Sequence, residues 1–229
     1  PTVILLHGFP GNEKNLDLAQ ALRRDGFNVL FFHYRGAWGS EGTYSFTHLI
    51  EDVGAAADFL RAHAADYRVD ADKLITIGHS MGGFAALQGA ARDPAIACAA
   101  GIAPANIGAR ATAFDESPEF EAGFRAYSDS LQMLHGYSGE AGVAEIRANA
   151  GTFELQNLTP GLEGKKVLIV GGDKDASVSL DGVIRPLISA YEADPAIQTT
   201  GVVLSGDHSF SWSREALINT VADWAAGCR

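Results

Sequence analysis

The sequence predicts an α/β protein with a mostly parallel central sheet and helices on both of its faces. Apolar runs of strand length alternate with segments of helical period along the whole chain, which is the pattern of βαβ units. The chain has 229 residues, a length that suits one domain with a substantial core. A glycine-rich turn at 78–83 joins a strand pattern directly to a helical pattern. We therefore expect residues 1–229 to form a single α/β domain.

Six apolar runs have the length of strands and recur between the helical segments. Near-continuous apolar runs of this kind are typical of strands that are covered on both faces. The predicted strands cover residues 3–6, 28–34, 74–77, 97–103, 166–170 and 201–204. Because the first run follows Pro1 almost at once, we expect either processing or further strands ahead of the given sequence.

Five other segments carry apolar residues at helical spacing. The predicted helices cover residues 15–25, 47–63, 81–91, 179–192 and 213–226. In the second of them Ile50 and Val53 begin a series with intervals of three and four residues, and Thr47 lies near a plausible start. Pro186 is expected to begin or kink the fourth helix, and Ser213 is a candidate N-cap of the fifth.

Residues 105–164 interrupt the alternation of strands and helices. They contain no clear strand pattern, and helical patterns appear at 118–134 and 140–149. An insertion at this point of an α/β sheet lies over the carboxyl ends of the strands, where ligands bind. We expect a small helical cap or lid over 105–164; the alternative is an ordinary surface excursion.

Composition and charge exclude several classes of partner. The formal net charge is −11 without any run rich in Lys or Arg, so we expect neither nucleic acid nor an anionic membrane surface as a partner. No apolar stretch approaches the roughly 18–20 residues that cross a bilayer. Cys98 and Cys228 can pair, but two cysteines do not make a disulfide scaffold. The pattern predicts a soluble protein; the cytoplasm is favoured, and compartment and oligomeric state stay open.

The segment Gly78-His79-Ser80-Met81-Gly82-Gly83 carries the clearest chemical signal. The pattern G-x-S-x-G between a strand and a helix forms a tight turn that strains the serine backbone and lifts the hydroxyl above the sheet. Small residues at Gly78 and Gly82 let the strand and the helix approach closely. We predict Ser80 as a catalytic nucleophile; the alternative is a glycine-rich packing turn.

A serine nucleophile needs a base, and the base needs a carboxylate that orients it. In folds with this turn the chain order is serine, acid, histidine. His208 follows the last predicted strand in a polar loop and is favoured as the base, whereas His135 falls in the predicted cap. Asp173 and Asp175 both follow the fifth strand. Asp175 lies beyond a Gly-Gly turn and is favoured as the acid, while Asp173 is expected to stabilise the turn or to face water.

The oxyanion of the tetrahedral intermediate needs hydrogen-bond donors. The backbone N–H of Met81, the residue after the nucleophile, is the first candidate. The loop at 7–11 reads His-Gly-Phe-Pro-Gly, and Phe9 is favoured as the second donor because Pro10 has no N–H. The alternative for this loop is a tight turn before the first helix.

Candidate substrate contacts are the side chains of Phe9, Trp38, Met81 and His135, with core packing as the alternative for the apolar ones. The histidines show no H-E-x-x-H pattern, and the chain has neither a G-x-G-x-x-G fingerprint nor a P-loop. We therefore expect no metal and no cofactor.

The loop at 7–11, the turn at 78–83, Asp175 and His208 occur in the order of the α/β-hydrolase superfamily, which the chain resembles over nearly its whole length. The resemblance implies the α/β-hydrolase fold. The family usually has two further strands before the His-Gly loop, and these are absent from the given sequence.

Two further segments resemble particular branches of that superfamily. Residues 34–42 are similar to a loop of esterases and serine aminopeptidase-like members, with Ala37-Trp38 as a departure. The helix at 47–63 and the segment 69–74 resemble the acyl-peptidase and dienelactone-hydrolase-like branches.

These residues predict a cofactor-independent serine hydrolase that cleaves a carboxylic ester or a related acyl bond of a small molecule through an acyl-enzyme. The alternative among enzymes is an aminopeptidase or acyl-peptide hydrolase with a short peptide as substrate, which the triad does not distinguish. The alternative outside enzymes is a catalytically silent ligand-binding protein on the same fold.

Overall fold

Six parallel strands form one central sheet. The computed structural model describes residues 1–229, and its strand order is β2-β1-β3-β4-β5-β6 with every neighbouring pair parallel. The strands are β1 (Thr2–Leu6), β2 (Asn28–Phe31), β3 (Leu74–His79), β4 (Ile96–Ile102), β5 (Lys166–Gly172) and β6 (Gln198–Leu204). The predicted parallel α/β sheet is confirmed.

Eleven α-helices surround this sheet. They are α1 (Leu16–Arg24), α2 (Phe46–Ala62), α3 (Ala64–Tyr67), α4 (Met81–Arg92), α5 (Ala109–Glu116), α6 (Pro118–Asp129), α7 (Gly139–Ala148), α8 (Ala150–Phe153), α9 (Thr159–Leu162), α10 (Arg185–Glu192) and α11 (Arg214–Ala226). A 3₁₀ turn at Leu155–Leu158 precedes α9, and a π-helical turn at Leu180–Ile184 precedes α10.

The two faces of the sheet bury separate sets of side chains. Successive residues of a strand point to opposite faces, so Val3 and Leu5 of β1 belong to a buried cluster with residues of α1 and α11, whereas Ile4 and Leu6 belong to a second cluster with residues of α2, α4 and α10. The helices therefore cover both faces, as the near-continuous apolar strands indicate.

Strand lengths differ from the sequence prediction at the two edges of the sheet. The predicted strand at 28–34 is too long, because pairing with β1 ends at Phe31 and the chain then turns inward to bury Tyr34. The last strand begins earlier than predicted. Thr199 and Thr200 pair with β5, and the prediction omits them because they are polar.

Helix starts are a second point of correction. Helix α2 begins at Phe46, and its N-cap is Ser45, whose hydroxyl accepts the N–H of His48 at 3.0 Å. Ser213 occupies the N-cap position of α11, as the sequence predicts, but its side chain makes no capping hydrogen bond. Pro186 lies in the first turn of α10, which agrees with its expected role as a helix start.

Residues 105–164, between β4 and β5, contain only helices and turns, apart from an isolated bridge from Leu134 to Ala37. The helical patterns predicted at 118–134 and 140–149 correspond to α6 and α7. We refer to residues 105–164 as the helical insertion.

A disulfide joins Cys98 of β4 to Cys228, 130 residues later in the sequence. The pairing that the sequence leaves open is thus formed in the structure. Such bonds are typical of oxidising compartments, and the location in the cytoplasm stays a prediction. None of the helices combines the length and the apolar character that a transmembrane segment needs.

Candidate active site

Ser80 occupies a strained turn between β3 and α4. Its backbone has φ 57° and ψ −121°, a conformation that residues with a side chain rarely adopt. Three hydrogen bonds hold it there: the Ser80 N–H donates to Ile102 O at 2.8 Å, and the Ser80 carbonyl accepts from Phe84 at 3.1 Å and Ala105 at 3.0 Å. The strained serine turn that the motif predicts is present.

Two glycines allow this turn because no side chain fits at their positions. A Cβ atom on Gly78 would lie 1.9 Å from the carbonyl oxygen of Gly82, and one on Gly82 would lie 2.2 Å from the carbonyl oxygen of Leu6. The close approach of strand and helix therefore has the cause that the sequence analysis assigns to it.

Asp175 and His208 are joined by a short hydrogen bond. His208 Nδ1 lies 2.7 Å from Asp175 Oδ2, although the two residues belong to separate loops after β5 and β6. The Asp175 side chain is completely buried and that of His208 is 24% exposed. The other carboxylate oxygen of Asp175 accepts the N–H groups of Ser177 at 2.7 Å and Val178 at 2.9 Å.

The electrostatic environment favours an ionised Asp175. Burial is the largest influence and acts to raise its pKa, but the hydrogen bond from His208 and those from the N–H groups of Val178 and Ser177 together lower the pKa below its usual value. A charged carboxylate at this position fixes a proton on His208 Nδ1 and leaves Nε2 free to accept one.

His208 lies beside the serine turn. The neighbour of Ser80 in sequence, His79, places its ring 4.7 Å from the ring of His208, and His79 Nε2 donates to the His208 carbonyl oxygen at 2.7 Å. The hydrogen bonds of the structure do not include one between the Ser80 hydroxyl and the His208 ring. Such a bond tightens as the reaction complex forms, so the Ser80–His208 pair stays a prediction.

The other carboxylates of these loops have structural partners. Asp173 Oδ1 accepts the N–H of Gly206 at 3.1 Å, which ties the loop after β5 to the loop after β6. Asp207 accepts both the N–H and the hydroxyl of Ser211, each at 2.7 Å. Neither carboxylate is hydrogen-bonded to His208, so Asp175 alone orients this ring.

The loop at 7–11 runs directly beside Ser80. A Cβ atom on Gly8 would lie only 3.2 Å from Ser80 Cβ. The Phe9 N–H donates to no backbone carbonyl, and Met81 is the first residue of α4, where helix geometry leaves the N–H without an intrahelical acceptor. Two unpaired N–H groups therefore flank the serine, while their role toward an oxyanion stays a prediction.

His7, the first residue of this loop, is fixed by contacts with Tyr34 and His33. It is buried and its carbonyl accepts the Tyr34 hydroxyl at 3.1 Å, while its ring contacts His33 through Nε2 at 3.2 Å. Burial, with the charges of His33 and Lys14 as smaller influences, lowers the pKa of His7 to about 4. His7 is thus a neutral structural group.

An aromatic wall joins the serine turn to the helical insertion. We use this name for the rings packed around Phe9, which are Tyr44, Phe46, Phe124, Tyr127 and Tyr137. The Tyr44 hydroxyl donates to the sulfur of Met81. Met81 is buried and Phe9 is partly buried, and contact of either side chain with a substrate stays a prediction. The sequence alone does not reveal their aromatic neighbours, because these are scattered along the chain.

Trp38 and His135 lie on the loops around this wall. The Trp38 indole donates to the Pro10 carbonyl at 2.8 Å, which ties it to the loop at 7–11. His135 is exposed and its Nδ1 lies 2.8 Å from the carbonyl oxygen of Gly42. The hydrogen bonds of His135 thus serve the loop at 36–44, and contact of either residue with a substrate stays a prediction.

The structure contains no group of three or more His, Cys, Asp or Glu side chains arranged to hold a metal ion. A large surface cavity of about 530 Å³ lies between α2, α4 and α8, and none of the three predicted catalytic residues lines it. The catalytic roles of Ser80, His208 and Asp175 stay a prediction.

Comparison with known proteins identifies similar chains. Residues 3–220 match the alpha/beta hydrolase family. The uncharacterised protein YfhR, from Salmonella typhi and Salmonella typhimurium, is 33% identical over 155 residues, which is 63% of this chain and 49% of that protein. The chain thus spans about half the length of these curated relatives.

Two solved structures share the fold. Est1E from Butyrivibrio proteoclasticus has a TM-score of 0.69 at 21% identity, and the alignment covers 100% of this chain and 88% of Est1E. The monoacylglycerol lipase from Paleococcus ferrophilus has a TM-score of 0.68 at 18% identity, with 100% of this chain and 95% of the lipase covered. At these identities the likeness concerns the fold alone.

Proposed function

Since the chain belongs to the alpha/beta hydrolase family, we propose that it is a serine hydrolase that cleaves a carboxylic ester or a related acyl bond. One observation carries this proposal. The buried Asp175 holds the ring of His208 at 2.7 Å, and His208 lies beside the strained serine turn. A carboxylate, an imidazole and a hydroxyl in this order are the groups that acyl transfer to serine requires.

In the first half of the reaction Ser80 attacks the scissile carbonyl carbon. His208 Nε2 takes the hydroxyl proton as the oxygen attacks, and Asp175 stabilises the imidazolium that forms. The N–H groups of Phe9 and Met81 donate to the oxyanion of the tetrahedral intermediate. His208 then gives its proton to the leaving alcohol, and an acyl-enzyme remains on Ser80.

In the second half a water molecule replaces the alcohol. His208 removes a proton from this water, which attacks the acyl carbonyl carbon. The same two N–H groups hold the second oxyanion, and its collapse returns the proton to Ser80 and releases the carboxylic acid. No step needs a cofactor or a metal ion.

The aromatic wall and the helical insertion supply the binding surface in this proposal. Phe9 stacks on Phe124 of the insertion with 6.5 Å between ring centroids, so an apolar part of a small substrate can lie beside Ser80. The insertion then acts as the cap that the sequence predicts.

Labelling with a fluorophosphonate probe tests the nucleophile. We expect the folded protein to react with the probe and the Ser80→Ala variant to stay unlabelled, because the probe bonds to an activated serine oxygen. A wild-type protein that is folded but stays unlabelled would contradict the proposal and favour a catalytically silent binding protein.

A second measurement tests the bond that is cleaved. We expect para-nitrophenyl acyl esters to be hydrolysed with the loss of this activity in Ser80→Ala, and aminoacyl anilides to be turned over much more slowly. Hydrolysis of the anilides alone would overturn the assignment as an esterase and favour a peptidase.

A further inference from the structure

The helical insertion contains a partly buried arginine without an acidic partner. The Arg110 guanidinium lies over the ring of Phe120 at 5.8 Å and over the ring of Phe124 at 5.7 Å, measured to the centroids. Burial is the main influence on its pKa and lowers it, and Tyr137 is the only ionisable side chain that acts on it. Arg110 takes part in none of the arginine–carboxylate ion pairs of the structure.

The carboxylates of the insertion that are not exposed all have other partners. Glu121 pairs with Arg125 at 2.7 Å and with Arg147 at 2.8 Å. Glu145 accepts the N–H groups of Phe46 and Thr47 at 2.9 and 2.8 Å, at the start of α2. Glu154 is hydrogen-bonded to Asn106. The fold thus provides Arg110 with no counter-charge.

Partial burial of a charge without a partner is unfavourable, and buried charges in proteins are usually paired. The cation–π contacts with two rings offset part of this cost. They do not use the N–H groups of the guanidinium, which are donors in a planar fork. The Arg110 guanidinium, which lies over two rings, therefore has unused donors.

Two sets of contacts connect Arg110 to the serine turn. The loop that leads into α5 is hydrogen-bonded to the turn, because the Ala105 N–H donates to the Ser80 carbonyl at 3.0 Å. On the other side, Phe124 lies between the guanidinium and Phe9, with its ring nearly parallel to that of Phe9 at 14°. Arg110 is thus one aromatic ring away from the loop that flanks Ser80.

A second buried polar group lies in the same region. The ring of Tyr137 packs edge-on against Phe9 at 5.8 Å, and its hydroxyl is buried without a well-aligned hydrogen bond. Tyr137 and Arg110 thus place two polar groups among the aromatic rings of the insertion.

We propose that Arg110 binds a carboxylate group of the substrate, so that the enzyme prefers esters that carry a carboxylate remote from the scissile bond. This inference rests on the proposed function. The scissile carbonyl lies at Ser80, the apolar body of the substrate lies along Phe9 and Phe124, and the carboxylate meets the guanidinium. A guanidinium fork matches the two oxygens of a carboxylate. Because the net charge of −11 repels anions, the attraction for the carboxylate comes from Arg110 itself.

Two matched pairs of esters test the proposal, one for each side of the scissile bond. The mono-para-nitrophenyl ester of adipic acid and para-nitrophenyl hexanoate share a six-carbon acyl chain and differ in the terminal carboxylate. The compounds para-acetoxybenzoate and para-acetoxybenzamide have leaving groups of similar shape, one with a carboxylate and one with a neutral amide. We expect kcat/KM to be about 10- to 100-fold higher for the charged member of one pair, the range that a hydrogen-bonded charge provides.

Variants of Arg110 test whether this preference depends on its side chain. In Arg110→Met the ratio of charged to neutral ester should fall toward one, and Arg110→Lys should give an intermediate ratio because it keeps the charge without the fork. Arg147→Met is the matched control: this arginine also lies over a ring of the insertion, that of Phe114 at 5.9 Å, but it is paired with Asp115 and Glu121. Its ratio should equal that of the wild type.

The outcomes separate this inference from the proposed function. Equal kcat/KM within both pairs for the wild type, or an unchanged ratio in Arg110→Met, would overturn the role of Arg110 while ester hydrolysis stands. An absence of hydrolysis with all four esters, together with no fluorophosphonate labelling, would overturn both. A far-UV circular dichroism spectrum equal to that of the wild type shows that Arg110→Met is folded.

Discussion

At the scale of single residues, environment rather than residue type distinguishes the two carboxylates after β5. Asp173 and Asp175 are two positions apart, yet Asp173 is exposed while the side chain of Asp175 is completely buried. Asp173 accepts one backbone N–H from the loop after β6. Asp175 accepts two N–H groups from its own loop and is hydrogen-bonded to His208. Only Asp175 can orient the imidazole.

We expect Asp175→Asn to lower kcat by about 10⁴-fold, because an amide favours the wrong tautomer of His208 and does not stabilise the imidazolium. Steady-state hydrolysis of a para-nitrophenyl ester measures this effect. Asp173→Asn is the matched control and should change kcat by only a few fold. A similar loss in both variants would mean that the loop, and not the charge on Asp175, determines activity.

Two buried histidines affect stability rather than chemistry. The pKa of His79 is lowered to about 4, mainly by burial and next by the charge of His208, and that of His7 is also about 4. The pKa of a histidine in an unfolded chain is about 6.5. Between these values the unfolded chain binds more protons than the folded one, so stability rises with pH over this range.

We therefore expect the free energy of unfolding to fall as the pH drops from about 7 to about 4, by roughly 3 kcal/mol for each of these histidines. Urea denaturation at a series of pH values measures this. His79→Gln keeps a donor for the His208 carbonyl without a titrating ring, so the fall should be smaller in this variant. An identical pH dependence in His79→Gln would show that His79 is not the group that titrates.

At the scale of elements, the strand β3, the serine turn and helix α4 are closely packed through their backbones. The backbone of Gly82 lies against Leu6 at the end of β1, and the backbone of Gly78 lies against Gly82. Thr76 of β3 donates from its hydroxyl to the Ala86 carbonyl of α4 at 2.9 Å. The position of Ser80 thus depends on contacts between backbones.

Substitution of Gly78 by Ala should destabilise the protein by about 3 kcal/mol or more, because its Cβ meets backbone that cannot move aside. Chemical denaturation gives this value, and fluorophosphonate labelling of the folded fraction reports on Ser80. Gly123→Ala in α6 is the control, since a Cβ there has no neighbour within 4 Å. It should stabilise the helix by about 0.5–1 kcal/mol. A Gly78→Ala variant as stable as the wild type would contradict the close approach.

How far the sequence predicts each element depends on whether the element is determined locally. The turn at Ser80 and the core strands are predictable because glycines and apolar runs act on their own neighbours. The start of α2 is not, since its first N–H groups are satisfied by Glu145, about a hundred positions later in the chain. Arg110 carries no local signal either, because its significance lies in the absence of a partner, and only the folded arrangement reveals this.

At the scale of the whole molecule, the C-terminus of the chain is attached to the amino ends of the central strands, whereas Ser80 lies at their carboxyl ends. The serine turn follows the carboxyl end of β3, whereas Cys98 is near the amino end of β4 and bonds to Cys228. Two further contacts fix the same terminus: Lys166, the first residue of β5, donates to the Gly227 carbonyl, and the Arg229 guanidinium lies 4.8 Å from the ring of Phe27. The contacts of the C-terminus and the serine turn therefore lie at opposite ends of the strands.

This separation predicts that loss of the disulfide lowers stability but not activity. The bond closes a loop with a sequence separation of 130, and removing a cross-link of this kind typically costs about 2–4 kcal/mol. We expect Cys98→Ala/Cys228→Ser to lose this amount in chemical denaturation and to keep the wild-type kcat/KM at temperatures where it is folded. Dithiothreitol should lower the wild type to the stability of the variant and leave the variant unchanged. If dithiothreitol does not change the free energy of unfolding of the wild type, then the disulfide does not stabilise the fold. If the variant loses activity while it is folded, then the contacts of the C-terminus also affect the end of the sheet that carries Ser80.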